Sequence, residues 1–403
     1  VYTGHEAQWP GEWDILRDIS VAQAIYDRRY PEDPIQLGDV SWYNPLTGAI
    51  LAVCGLWSSQ SLPRLAIVMG PYVNLLAPLL FYAMLATFFG RGAGLVGLAL
   101  YLFVRDPAYP FWISASYSPW FMAPIYSMGL LFAVLAAYGY ALRSRAWLGY
   151  AAAGLLLGVT FTSHTAPALV GGGAMLLMTF VQAIDAWRGE RNFKAVIPEF
   201  ERFLLLLTLA FLISLPYSLP ILWRYQFRVQ NPWPSLYATP YVELQHLSLR
   251  LREALNWRTA LAGVGVVALA AHWRRHIEAR LVLCWGVVVT VFMTQHYLWQ
   301  CLLTRGTVVS AFVPGHHAAI HLSAFRNAAC AVGITTMAAI PAWGLQRLSL
   351  PGSRQWNALA QGGIPWLVVA ATVTLLYANN PYGQRVDFQP PQRDMYQAFH
   401  EQG

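Results

Sequence analysis

The sequence predicts an all-α fold, a polytopic transmembrane helical bundle, and three observations predict it. The first is composition: 57% of the 403 residues are hydrophobic and 11% are charged, where soluble chains carry about a quarter charged residues. The second is a succession of ten apolar runs, several of them close to the roughly 20 residues that a helix needs to cross a bilayer. The third is where the charge sits. The arginines fall in loops between those runs, so the net charge of +7 reads as membrane topology rather than a nucleic-acid footprint.

The chain opens on an acidic segment. Eight of its 19 carboxylates lie in the first 39 residues. Residues 12–29 have helical spacing: Ile15, Ile19, Ala22 and Ile25 are placed for burial, while Asp14, Arg17 and Asp18 share one face at i, i+3 and i+4. Pro31 and Pro34 in "YPEDP" end that helix. "GDVSWYNPL" then leads into residues 46–57, which are too short to span and read as an interfacial or re-entrant helix. Predicted spans follow at 66–89, 92–105, 121–142, 147–163, 166–184, 203–222, 259–272, 281–299, 322–345 and 364–378.

Orientation comes from the connections. The compact loops 90–94, 143–145, 188–202, 272–280 and 346–354 hold 12 of the 26 basic residues. The opposite set, 1–65, 106–120, 223–258, 300–321 and the tail from 379, is longer and less densely basic. The positive-inside rule puts the first set in the cytoplasm. About ten spans then start and end outside: an external segment 1–65 with juxtamembrane helices, a bundle 66–378 and an external tail 379–403. Val1 follows no initiator Met and no cleavable leader pattern. The chain therefore reads as a fragment, and one span before Val1 would bring the count to eleven or more.

Several chemistries find no support. Cys54, Cys284, Cys301 and Cys330 share no metal-ligand spacing. There is no glycine-rich phosphate loop, Walker motif, haem attachment motif or nucleic-acid module. Neither a short-period repeat nor paired broken helices of inverted-repeat transporters stand out.

The order of motifs over roughly residues 10–185 resembles the GT-C superfamily of polytopic membrane glycosyltransferases, which depend on polyprenyl-phosphate sugars; mannosyl- and arabinosyltransferases are the nearest in kind. Asp14, Arg17, "RRYPEDP" and "YNPL" (Tyr43 to Leu46) stand where that family has an acidic residue, a basic residue, a turn and a "yPPL" motif. Asn44 replaces the first proline of the pair. "LGVTFTSHTAPAL" (157–169) resembles a later family segment, with His164 where Arg or Lys is common. The rest of the chain matches only in hydropathy.

The resemblance implies a GT-C-like bundle that moves a sugar from a polyisoprenyl-phosphate carrier to a glycan, lipid or protein acceptor on the outer face. Asp14 takes the role of general base, with Asp18 as second choice. Attack opposite the leaving group inverts the anomeric carbon. The leaving lipid phosphate needs cations around it. Arg17 lies beside the carboxylates. Arg224 and Arg228 follow a span at i and i+4; the plainer reading is snorkelling. His317 and His321 share a helix face, and Arg326 lies within the next apolar run, where an arginine costs about 2.5–3.5 kcal/mol and usually faces a cavity or partner. His164 has a plainer reading as a helix cap. No cofactor is expected. Some family members use a divalent metal, but the acids here form no metal motif, and "HHAAIH" lacks the Glu of a zinc helix.

The expected setting is a bacterial inner or plasma membrane. Partners are the bilayer, the lipid-linked donor, the acceptor and possible further membrane subunits, with no nucleic acid. Two other classes compete: a non-catalytic, GT-C-like subunit or scaffold of a larger membrane complex, and a transporter or lipid flippase.

Overall fold

The structure, a computed structural model, describes residues 10, 13–36, 38–104, 120–226, 255–298, 315–347 and 363–379. Within them the chain is a helical membrane bundle. Its helices are α1 (Trp13–Tyr26), α2 (Leu46–Trp57), α3 (Leu62–Val73), α4 (Leu76–Phe89), α5 (Arg91–Phe103), α6 (Ala123–Ser144), α7 (Trp147–Ser163) and α8 (Thr165–Glu190). A short 3₁₀ turn, Phe193–Val196, leads into α9 (Ile197–Tyr225), followed by α10 (Trp257–Ala271), α11 (Ile277–Leu298), α12 (Gly315–Arg347) and α13 (Ile364–Ala378).

The described part of each predicted span is largely helical. Among the described residues, five stretches are long and apolar enough to cross a membrane: Leu62–Phe89, Ala123–Ser144, Thr165–Glu190, Phe193–Tyr225 and Ile277–Gln295. Others, such as α5 and α10, are shorter apolar helices, and at 1.5 Å per residue they reach less far than the hydrocarbon core is thick. The first span is interrupted. Pro71 lies inside α3 and cannot donate to the ladder, and the chain breaks at Asn74, whose buried amide donates to the Trp120 carbonyl. Gly90 closes the α4–α5 hairpin at φ +92°, a backbone state that glycine adopts without strain.

The core centres on Phe81, Phe132 and Trp285, with Leu85, Leu131 and Val289 buried around them. α10 lies against α12 where Gly265 and Gly333 meet: a Cβ at Gly265 would sit 1.8 Å from the Ala329 carbonyl oxygen. One end of the bundle is tied by ion pairs between the short basic connections. Glu199 takes Arg145 at 2.7 Å and Arg202 at 3.0 Å, and Arg143 meets Glu278 at 3.1 Å.

At the other end α1 lies across α2 and α3. Ile15, Ile19 and Ala22 are buried with Leu51, Leu62, Leu65 and Tyr126, so the predicted apolar face has its partner. Buried Asp33 organises the loop after α1: its Oδ1 accepts the Ile35 and Gln36 amides at 2.8 and 2.9 Å. Part of the acidic cluster is therefore loop architecture.

Candidate active site

Two polar centres form at this end. The first is built on α1. Arg17 donates through Nε and Nη2 to Asp18 Oδ1 at 2.9 and 2.8 Å, and through Nη1 to Asp14 Oδ1 at 3.0 Å. Its guanidinium lies 4.3 Å from the centre of the Tyr43 ring, so the "YNPL" loop covers the cation. The Asp14 side chain is 61% exposed and the Asp18 side chain 6%.

That difference separates the two acids. Burial pushes the Asp18 carboxyl up to about 6; Arg17 opposes the shift and Asp14 adds to it. Burial also disfavours the Arg17 cation, but Asp18 and then Asp14 outweigh it and hold the guanidinium above its ordinary value. Asp14 is thus the carboxylate that a solute can reach, and Asp18 anchors the cation from beneath.

The second centre joins three segments. The Asn44 amide donates to the Phe161 carbonyl at 2.6 Å and to Thr165 Oγ1 at 3.1 Å. This pins the loop to the junction of α7 and α8. A proline at position 44 would have no amide to give, so the departure from the family motif carries a specific contact. His164 caps α8, its Nδ1 accepting the Ala166 N–H at 3.3 Å. Its ring lies 4.8 Å from that of His317. His321, one turn further along α12, is 2% exposed and within electrostatic reach of His164. Among the described residues the buried His321 Nδ1 has no hydrogen-bond partner.

The remaining predicted residues separate. Arg326 follows His321 by five residues, about 140° further round α12, on the side of Ser323. There Arg258 Nη2 donates to Ser323 Oγ at 2.7 Å. Arg258 is 2% exposed. Sequence reasoning missed it, because an arginine at the start of an apolar helix carries the usual signature of snorkelling. Arg224, at the end of α9, pairs with Asp39 at 3.5 Å rather than with either centre. Arg228 lies outside the described residues.

No three His, Cys, Asp or Glu side chains among the described residues are arranged to hold a metal. Asp14 and Asp18 already share the Arg17 guanidinium, which stands where a bridging cation would have to be. As arranged, the pair does not fit a divalent metal.

No family model matches the chain, and no curated protein matches its sequence. Its fold is similar to solved structures. The oligosaccharyltransferase of Archaeoglobus fulgidus, in a complex with Zn and sulfate, aligns with a TM-score of 0.50 at 14% identity, over 90% of this chain and 48% of that one. The chain thus spans about half the length of that neighbour. ArnT of Cupriavidus metallidurans bound to undecaprenyl phosphate aligns with a TM-score of 0.48 at 15% identity, over 90% of this chain and 66% of that one. The chain shares the helical membrane-bundle fold of that oligosaccharyltransferase.

Proposed function

We propose that the protein transfers a sugar from a polyisoprenyl-phosphate carrier to an acceptor hydroxyl at the outer face of the membrane. The observation that carries this reading is the joining of the two centres. Tyr43 stacks on Arg17, which holds the two carboxylates, and the next residue, Asn44, binds beside His164. One loop thereby links a reachable carboxylate to a cluster of imidazoles at a helix N-terminus, where anions are favoured. The fold shared with an oligosaccharyltransferase supports the same class of chemistry.

In this reading Asp14 accepts the proton of the acceptor hydroxyl. The acceptor oxygen bonds to the anomeric carbon as its bond to the phosphate oxygen breaks. The phosphate leaves with that electron pair, and the anomeric centre inverts. Arg17 and the trio His164, His317 and His321 hold the phosphate, Asp18 fixes Arg17, and no step runs through a metal. Residues 1–65 and the tail 379–403 face outward and the bundle 66–378 carries the lipid.

The test is the Asp14→Asn variant, assayed for sugar transfer from polyprenyl-phosphate donors in membranes holding the intact protein. We expect transfer to fall by about 10²–10⁴-fold, the usual share of a general base. Wild-type rates in that variant would remove Asp14 from the chemistry and favour the non-catalytic subunit.

A further inference from the structure

Four side chains near these centres serve neither of them. Trp42 and Tyr225 stack with ring centroids 4.5 Å apart and planes 25° apart. The stack is held from behind. Tyr225 Oη donates to the Val40 carbonyl at 3.1 Å and accepts the Val40 N–H at 3.2 Å, and Tyr217 Oη donates to the Trp42 carbonyl at 2.7 Å. At its edge Asp39 and Arg224 form an open pair, with side chains 39% and 55% exposed.

We infer that Trp42, Tyr225, Asp39 and Arg224 form a saccharide-binding shelf that receives a sugar ring of the acceptor. A sugar ring offers C–H bonds on one face and hydroxyls round its rim. Aromatic rings accept the first, and a carboxylate beside a guanidinium takes the second through charge-assisted hydrogen bonds. Ligand sites commonly combine an apolar, aromatic lining with a few placed polar groups. Here the backbone bonds order the rings in advance, which lowers the entropy lost on binding. An aromatic belt at the membrane surface looks different. Trp57 and Trp223 are 88% and 85% exposed, and no ring among the described residues stacks on either.

Position favours an acceptor. Trp42 precedes Tyr43, the ring over the Arg17 that holds Asp14, so one loop carries both the shelf and the cover of the acidic centre. Naming the ring as the acceptor's rests on the proposed transferase reading; saccharide binding itself does not.

The experiment is saturation-transfer NMR on the full chain in lipid nanodiscs, using methyl gluco-, manno- and galactopyranosides and methyl arabinofuranoside as probes. We expect wild type to bind at least one of them. The double variant Asp39→Asn with Arg224→Gln keeps the stack and should weaken that binding by about tenfold or more, the loss expected for charge-assisted hydrogen bonds. Trp42→Leu should abolish it, and Trp57→Leu should leave it unchanged. Absence of binding to every probe overturns the shelf. So does binding that survives the double variant, or equal loss in the two tryptophan variants. Asp14→Asn separates the two proposals. If it keeps both saccharide binding and full transfer, the shelf stands and the catalytic reading falls.

Discussion

Arg17 holds Asp18 with two donors on a single carboxylate oxygen, at 2.9 and 2.8 Å, while giving Asp14 only one. The consequence is a pH dependence carried by the buried acid. Folding raises Asp18 from 3.8 to about 6, chiefly by burial, so the folded state favours its protonated form. Its stabilising contribution is complete below the unfolded value and is lost as pH rises through the folded one. Relative to Asp18→Asn, the wild-type protein should lose roughly 3 kcal/mol of stability as pH rises from the unfolded value of 3.8 to the folded value of about 6. Melting midpoints of both proteins in detergent across that window check this. Parallel curves would remove Asp18 as the source.

Arg17→Lys keeps the charge but loses the fork that spans both carboxylates and the flat face against Tyr43. We expect kcat/KM for sugar transfer to fall by about 10–100-fold, or about 1.4–2.8 kcal/mol of barrier. The melting temperature should shift little. A lysine variant with wild-type kinetics would reduce Arg17 to a bulk charge.

The histidines and Arg326 make opposite predictions. His321→Leu replaces a buried imidazole whose Nδ1 has no hydrogen-bond partner among the described residues, so folding should be undisturbed or improved. The KM for the lipid-phosphate donor should still rise by about tenfold, as expected for lost ground-state binding. Arg326→Gln, on the far side of α12, should leave that KM near its starting value. Reversed results would put the phosphate on the Arg258 side of the helix.

Packing at the α10–α12 crossing gives a paired test. Gly265→Ala drives a methyl into the Ala329 carbonyl, whereas nothing lies within 4 Å of a Cβ at Gly263. Overpacking typically costs about 1–3 kcal/mol and sometimes more. Gly263→Ala should be neutral or slightly stabilising, because alanine is the better helix former. Folded yield and melting temperature in detergent report both.

Much of the fold was legible in the sequence because its signals are local. Apolar run length marked the helices, and a turn of 100° per residue put Asp14, Arg17 and Asp18 on one face; α1 nonetheless stops at Tyr26, short of the predicted end at residue 29 and ahead of Pro31, where Arg28 turns left-handed at φ +59°. The same local logic ranked Arg326 with His317 and His321, because they are close in sequence. It ranked His164 apart from them, because it is far away.

Tertiary structure decided which of these groups meet. Asn44 and Thr165 are 121 residues apart, and no hydropathy pattern predicts that contact. Burial of Asp18 beside exposed Asp14, and of Arg258 at a helix start, likewise depends on what packs over them. Small residues such as Gly265 and Gly333 let helices approach closely, yet they leave almost no mark on a hydropathy profile. The sequence by itself determined the helices and their order, because hydrogen bonding and hydrophobic period act within a few residues. The site was decided by packing, because convergence depends on distances that run between helices rather than along them.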